Sequence, residues 1–305
     1  MGDNTPNRSA ALRRIPATAI SDLGLCLSEA RPIVQIIFLF RFLTGAALGY
    51  AAGETDLAAV GFGAFTWECA VVFVYLLNGA TDVLEDRING SRRPIASGVL
   101  PRHVALRYVR LTGVGALAGG IVMGWEFLVA VIIFMLLGYL YSAPPFQLKN
   151  NPGATIAVAA LGGLVTYLAG SASAASGGGL PALVCAGAMS LWMGLVGAIA
   201  KDFGDIDGDR AAGRRTIAVL LGDTAARRLV GLIAPALGVA FVLAALHVAP
   251  VLIMSAVVTL LGAIVVAWFA LTPARGDRNA RRRPYRAFMT TQYGSHAGVA
   301  LALTV

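Results

Sequence analysis

An integral membrane protein built of α-helices, with nine spans arranged as two similar four-helix modules and a ninth helix, is the fold this sequence predicts. Three observations carry that expectation. Of 305 residues, 57% are hydrophobic and only 13% charged, with a mean hydropathy of +0.75, whereas a soluble domain averages about 25% charged residues. Nine runs approach the ~20 apolar residues needed to cross the hydrocarbon: 33–52, 57–80, 104–123, 125–143, 153–173, 180–200, 225–246, 249–271 and 287–305. Finally, the basic residues are sorted between the connections. The N-terminus and the even-numbered connections carry Lys and Arg, and Arg41 stands apart within the first span. The odd-numbered connections (Gly53-Glu54-Thr55-Asp56, Gly124, the Ser/Ala/Gly run 171–179, and His247) carry almost none. That pattern puts the N-terminus and the even connections in the cytoplasm of a multi-pass cell-membrane protein. It also accounts for the net charge of +8 without a nucleic-acid partner.

Residues 1–32 read as a cytoplasmic leader and 33–305 as the polytopic domain. The leader holds Arg8, Arg13, Arg14 and Arg31 but no apolar stretch ending in a small-residue cleavage site, so it does not read as a signal peptide. The first span contains Arg41 near its middle, where insertion costs about 2.5–3.5 kcal/mol, so its guanidinium is expected to face a cavity and an anion. The second span contains Glu68 and runs into Asn78-Gly-Ala-Thr-Asp82-Val-Leu-Glu-Asp86-Arg87. Glu68 could serve an acceptor or pair with Arg41. The fourth ends in Tyr139 and Tyr141, whose rings could shield a cation. The fifth and sixth are rich in Gly and Ala, which suits close packing in lipid, and the sixth runs into Lys201-Asp202 and Asp205-Ile-Asp207-Gly-Asp209-Arg210. A basic run, Arg281-Arg282-Arg283 with Arg275, Arg278 and Arg286, anchors topology and attracts anionic lipid. His296 lies in the last span, where it reads as a satisfied bundle histidine or, in an acceptor pocket shared with Glu68, Tyr139 and Tyr141, as a base. Cys26, Cys69 and Cys185 form no metal-binding spacing and read as packing residues.

The two acidic stretches resemble each other. Asp82-x-x-x-Asp86-Arg87 leads to Arg92-Arg93-Pro94-Ile95-Ala96, and Asp205-x-x-x-Asp209-Arg210 leads to Arg214-Arg215-Thr216-Ile217-Ala218, with one inserted residue reconciling them. Four spans lie between, so both copies fall on one side of the membrane. Asn78, Asp82 and Asp86 recur every four residues and share a helix face; carboxylates so placed repel unless a cation joins them. Magnesium takes a few carboxylates and completes its shell with substrate phosphate oxygens. Asp82, Asp86, Asp205 and Asp209, with Asn78, suit such ions shared with a diphosphate, and Lys149, Arg92 and Arg93 could contact phosphate directly. Lys201 and Arg41 are further candidates for that contact. An EF-hand reading of 205–216 fails, because Arg210 stands where the Gly belongs and Thr216 where the bidentate Glu belongs.

Asn78-x-x-x-Asp82-x-x-x-Asp86, with Asn89 and Arg93-Pro94-Ile95-x-x-Gly98, resembles the first motif of the UbiA superfamily of intramembrane prenyltransferases. Lys201-Asp202-x-x-Asp205-x-x-Gly208-Asp209-Arg210-x-x-Gly213-x-x-Thr216 is similar to its second. Tyr141-Ser142-x-Pro144-Pro145-x-x-Leu148-Lys149 is similar to a motif of the homogentisate, chlorophyll-synthase and geranylgeranylglyceryl-phosphate branches. Gln147 and Ser91 depart from those branches, which often place Arg and Pro there. The resemblance implies a nine-helix bundle around a central cavity capped by cytoplasmic loops. It further implies Mg²⁺-dependent ionisation of an isoprenyl diphosphate, and attack by an aromatic or other nucleophilic small-molecule acceptor. Asn78, Asp82, Asp86, Asp205 and Asp209 fall on its metal and catalytic positions, Lys149 on its diphosphate-contacting lysine. A terpene cyclase acting on the same diphosphates would need the same carboxylates. A transporter or lipid-binding scaffold fits less well, because the acids sit at helix ends and not at the midplane.

Overall fold

The computed structural model describes residues 19–50, 56–88, 90–174, 179–211, 213–272 and 278–304. Most of the leader, Asn89, Arg275 and parts of the first, fifth and eighth connections lie outside them. Among the described residues every element is helical. In order these are α1 (Ala19–Glu29), α2 (Pro32–Tyr50), α3 (Leu57–Thr81), α4 (Val83–Ile88), α5 (Arg102–Met123), α6 (Trp125–Ser142), α7 (Pro152–Ser173), α8 (Gly179–Leu191), α9 (Ala198–Ala200), α10 (Ile206–Ala211), α11 (Ile217–Leu221), α12 (Asp223–His247), α13 (Ile253–Leu271), α14 (Arg278–Arg281) and α15 (Arg283–Ala302). A π-helical turn over Trp192–Gly197 joins α8 to α9, so 179–204 is one long rod.

Each predicted span overlies a helix or such a rod. Seven are long and apolar enough to cross a membrane; α5 and α15 fall short. The reason lies in their composition. Helix α5 opens with Arg102, His103, Arg107 and Arg110 and is then diluted by glycine. Helix α15 turns Gln292, Ser295 and His296 into the protein, so its polarity is spent inward.

Small residues set how closely the helices pack. Where α2 crosses α7, a Cβ added at Gly170 would lie 1.9 Å from the Phe42 carbonyl oxygen, and one at Gly45 would lie 2.1 Å from that of Tyr167. One apolar cluster gathers Phe38, Phe42, Trp67, Phe127 and Phe134 between α2, α3, α6 and α7. A second gathers Trp192, Val196, Phe203, Val230, Leu252 and Phe288 in the other half. Helix α1 packs Cys26 against Leu76, Ile95 and Leu100, beside the first acidic stretch.

Both acidic stretches break their helix in the same way. Asp82 and Asp205 each interrupt α geometry, with φ/ψ of −91/10° and −122/7°. The Asp86 N–H then bonds Asp82 O at 2.8 Å, and the Asp209 N–H bonds Asp205 O at 2.8 Å. The Ser91 N–H returns to Asp86 O and the Arg214 N–H to Asp209 O, both at 2.8 Å. Between them Gly90 and Gly213 take φ of 64° and 71°, which side chains rarely tolerate. The repeat therefore keeps one register from Asp82/Asp205 through Ser91/Arg214, and the inserted residue falls after it.

Candidate functional site

The two breaks bring their side chains to the mouth of one cavity of about 300 Å³. Asn78, Asp82, Glu85 and Asp86 line it from one copy, and Lys201, Asp202, Arg214 and Thr216 from the other; Lys149 stands between them. Below, the wall is mostly apolar, with Phe38, Val74, Phe134, Ile156, Met193 and Phe288.

The repulsion expected among the carboxylates is relieved by basic side chains. Lys149 Nζ donates to Asp82 Oδ1 at 2.6 Å and to Glu85 Oε1 at 3.1 Å. Glu85 also receives the Arg214 guanidinium, which lies 3.6 Å from Asp209 Oδ1. A single chain of charges thus runs from the first copy to the second. On the other side Arg93 Nη1 donates to Asp86 Oδ2 at 2.8 Å, and its Nη2 lies 2.7 Å from Glu29 Oε1. Glu29 is fully buried, and its second oxygen accepts the Ile95 N–H at 2.9 Å. Asn78 Nδ2 donates to Asp82 Oδ2 at 2.9 Å, which turns that carboxylate toward Lys149.

Of the sequence-derived candidates, Asn78, Asp82, Asp86, Lys149, Lys201, Arg41 and Tyr141 line the cavity. Asp209 is buried behind Arg214, and Asp205 caps the turn that leads into α10; neither is in the cavity wall. Arg93 is occupied by Asp86 and Glu29, and Arg92 is exposed. Tyr139 points outward, 42% exposed. His296 sits behind the wall, bonded to the Tyr167 hydroxyl at 2.8 Å and to the Gln292 carbonyl. Glu68 forms no ion pair with Arg41 among the described residues, and its Oε1 is buried without a partner.

Sequence reasoning missed Glu85, Arg214 and Gln292. Glu85 had a usable signal, since it lies three residues after Asp82 on the same helical face. Arg214 was visible as a repeat residue, but its partner across 129 residues of chain was not.

Burial pushes the Asp209 carboxyl up to about 6, helped by Asp202 and Asp205 and opposed by Arg214. The folded chain thus holds this proton more tightly than the unfolded one. Its contribution to stability is complete below the ordinary carboxylate range and is lost as pH rises through about 6. Metal-free protein should therefore gain melting temperature from this group on acidification from pH 7 to 5. Asp209→Asn should flatten that part of the profile; an unchanged slope would show that the carboxyl titrates normally.

Carboxylate and amide oxygens are the donors a hard divalent cation takes. Among the described residues, however, no three acids, histidines or cysteines converge as a metal site; Lys149, Arg93 and Arg214 hold the carboxylates instead.

The model of the UbiA prenyltransferase family matches residues 38–291. A digeranylgeranylglyceryl phosphate synthase of Halobacterium salinarum is 33% identical over 203 residues, 63% of this chain and 67% of that protein. A chloroplastic chlorophyll synthase of Arabidopsis thaliana is 32% identical over 167 residues, 52% of this chain and 43% of that one. A UbiA homologue from Archaeoglobus fulgidus, solved with GPP and Mg²⁺, superposes with a TM-score of 0.67 at 19% identity, covering 92% of this chain and all of the other. At that identity the likeness speaks to the fold.

Proposed function

The chain belongs to the UbiA prenyltransferase family, and from that premise we propose that it moves an isoprenyl group from an isoprenyl diphosphate to an aromatic or other nucleophilic acceptor inside the membrane. One observation carries the reading: a charged mouth assembled from both copies of a repeated helix break opens onto an apolar cavity. That polarity matches a substrate with a diphosphate head and a hydrocarbon tail. Asp82 and Asp86 in the cavity wall, with Asn78, and Asp205 and Asp209 once Arg214 turns off Asp209, would hold Mg²⁺, which supplies charge neutralisation for the departing diphosphate. Lys149 and Arg214, released from the carboxylates they now pair with, and Lys201 beside them, would take phosphate oxygens. The bond between C1 and the bridging oxygen breaks, and its electron pair leaves with the diphosphate. The acceptor donates an electron pair to C1 and loses a proton. Tyr141 and Tyr75, which line the cavity, would offer ring faces to the allylic cation.

In this reading α5 and α15 complete nine spans around the cavity, as two four-helix modules and a ninth helix. The leader 1–32 and the mouth lie in the cytoplasm, as the arginine distribution indicates. The test is incubation with geranyl, farnesyl and geranylgeranyl diphosphates and Mg²⁺, with and without acceptors. A prenylated product that requires both acceptor and Mg²⁺ is expected. A cyclic hydrocarbon or alcohol released without acceptor would overturn transfer in favour of cyclisation.

Lys149→Ala should weaken the apparent affinity for the diphosphate by about 10–100-fold, the worth of one or two charge-assisted hydrogen bonds, with a smaller effect on kcat. Steady-state kinetics checks this, and an unchanged KM would remove Lys149 from the diphosphate site.

A further inference from the structure

Glu29 is the last residue of α1 and is fully buried, yet it stands outside both acidic stretches. Its Oε1 lies 2.7 Å from Arg93 Nη2, and its Oε2 accepts the Ile95 N–H at 2.9 Å. The same Nη2 donates to the Glu29 backbone oxygen at 3.0 Å. Both side chains press against α3 beside Asn78, where a Cβ added at Gly79 would lie 2.2 Å from Glu29 Oε1 and 2.7 Å from Arg93 Nη2. Cys26, one turn earlier in α1, is buried with Leu76, Ile95 and Leu100. A backbone hydrogen bond, helix packing and a missing Cβ thus hold Glu29 in one place.

Arg93 joins that fixed acid to a more open one. Its Nη1 donates to Asp86 Oδ2 at 2.8 Å. The Asp86 side chain is 19% exposed and that of Glu29 0%; Asp86 lines the cavity, and Arg93 and Glu29 stand behind it. The second copy repeats the arrangement with another acid, since Arg214 is shared between Asp209, at 3.6 Å, and Glu85. In each copy the last aspartate of the motif therefore pairs with an arginine that has a glutamate besides. An arginine so buried is costly to leave without a carboxylate. With Glu29 in place, Asp86 can turn away and leave Arg93 paired.

We propose that Glu29 is a positioning residue of the metal site: it keeps Arg93 paired when Asp86 turns to a divalent cation, so that the N-terminal helix α1 helps set the affinity for that cation. The inference rests on Asp86 serving as a metal ligand in the reading above. Without the Glu29 charge, Asp86 would be the only carboxylate paired with Arg93 among the described residues, and cation and guanidinium would compete for it. Neutralising Glu29 and Arg93 together should leave Asp86 uncontested.

The experiment uses the purified full chain in detergent with Mn²⁺ as the probe cation, its free fraction read by electron paramagnetic resonance. Wild type, Asp86→Asn, Glu29→Gln, Glu29→Asp and the double variant Glu29→Gln/Arg93→Gln are compared, with melting temperatures beside them. The Mg²⁺ concentration that half-saturates consumption of geranylgeranyl diphosphate is read in parallel. Glu29→Gln should raise the Mn²⁺ Kd about tenfold or more, the usual loss when a group supporting a metal ligand is removed, and raise the Mg²⁺ requirement with it. The KM of the diphosphate at saturating Mg²⁺ should change less than about threefold. Glu29→Asp, which keeps the charge, should recover part of the affinity. The double variant should bind within about threefold of wild type or more tightly, a non-additive result that a residue needed only for folding does not give. If Glu29→Gln does not fold, Glu29→Asp takes its place: its Kd should exceed that of wild type about threefold or more, and the double variant should bind more tightly than it does.

The proposal is overturned if Glu29→Gln binds Mn²⁺ as wild type does, or if the double variant is as weak as the single one. A raised diphosphate KM with Mn²⁺ binding unchanged would also overturn it, by giving Arg93 to the substrate. Asp86→Asn reports separately on the metal reading. If it binds Mn²⁺ like wild type, or if wild type binds none, both readings fall. If it binds weakly while Glu29→Gln binds normally, only this one does.

Discussion

Asp86→Ala should lower turnover about a thousandfold or more while leaving the folded protein intact. The size follows from where charge develops. As the bond to C1 breaks, the diphosphate gains negative charge in a cavity whose walls screen little of it. Groups that neutralise such charge contribute the largest single part of a catalytic effect, roughly 10²–10³-fold for one donor, and a lost carboxylate ligand to a divalent cation should cost more. The intact fold follows from the ion pairs. Removing Asp86 deprives Arg93 of one partner, but Glu29 still holds it at 2.7 Å from below, so no buried guanidinium is stranded. Asp82→Ala differs in this respect, since Lys149 would keep only Glu85 and some stability should be lost with the activity. Steady-state rates with saturating Mg²⁺, beside melting temperatures, separate the two outcomes. A loss of tenfold or less in Asp86→Ala would place the metal elsewhere.

Those two variants also mark what the chain discloses on its own. The apolar runs and the four-residue spacing of Asn78, Asp82 and Asp86 are local, so the helices were legible, but the break that Asp82 puts between α3 and α4 was not. The repeat was legible too, because it is written twice in the same order. What depends on helix rotation was not. Glu68 and Arg41 both lie within apolar spans; the cost of burying a guanidinium pointed Arg41 to a cavity, which it does line, but nothing in the sequence says that Glu68 does not meet it. Gln292 reads as one polar residue in a moderately polar segment, until α15 places it on Arg41. The pairing of Arg93 with Glu29 joins residues 64 positions apart, from a stretch that reads as a leader, and neither residue carries a mark of the other. Asp209 has the same motif position as Asp86, yet it is buried behind Arg214 whereas Asp86 faces the cavity; sequence symmetry does not extend to exposure. Helices α5 and α15 were counted as spans by the length of their apolar runs but are too polar by composition, because the polar groups of one crowd its first turns and those of the other face inward.

The second large effect is structural and falls where α2 meets α7. Gly170→Val should destabilise the protein by about 3 kcal/mol or more, the upper range for overpacking a well-packed interior. A Cβ at this position would stand 1.9 Å from the Phe42 carbonyl oxygen and 3.0 Å from the Ala46 amide nitrogen. Both are backbone atoms, so no side-chain rotation relieves the contact and the helices must separate. The reciprocal position is equally closed, with a Cβ at Gly45 2.1 Å from the Tyr167 carbonyl oxygen. Separation would not stop at packing. Arg41 rides on α2 one turn before Gly45, and Tyr167 rides on α7 one turn before Gly170, so their relative position beside His296 and Gln292 would shift as well. Gly187 in α8 supplies the control, because a Cβ there meets nothing within 4 Å. Gly187→Ala should be neutral or gain up to about 1 kcal/mol from helix propensity. Thermal unfolding of the three proteins in the same detergent measures the contrast. If Gly170→Val melted within a degree or two of wild type, the close crossing of α2 and α7 would not be the one described.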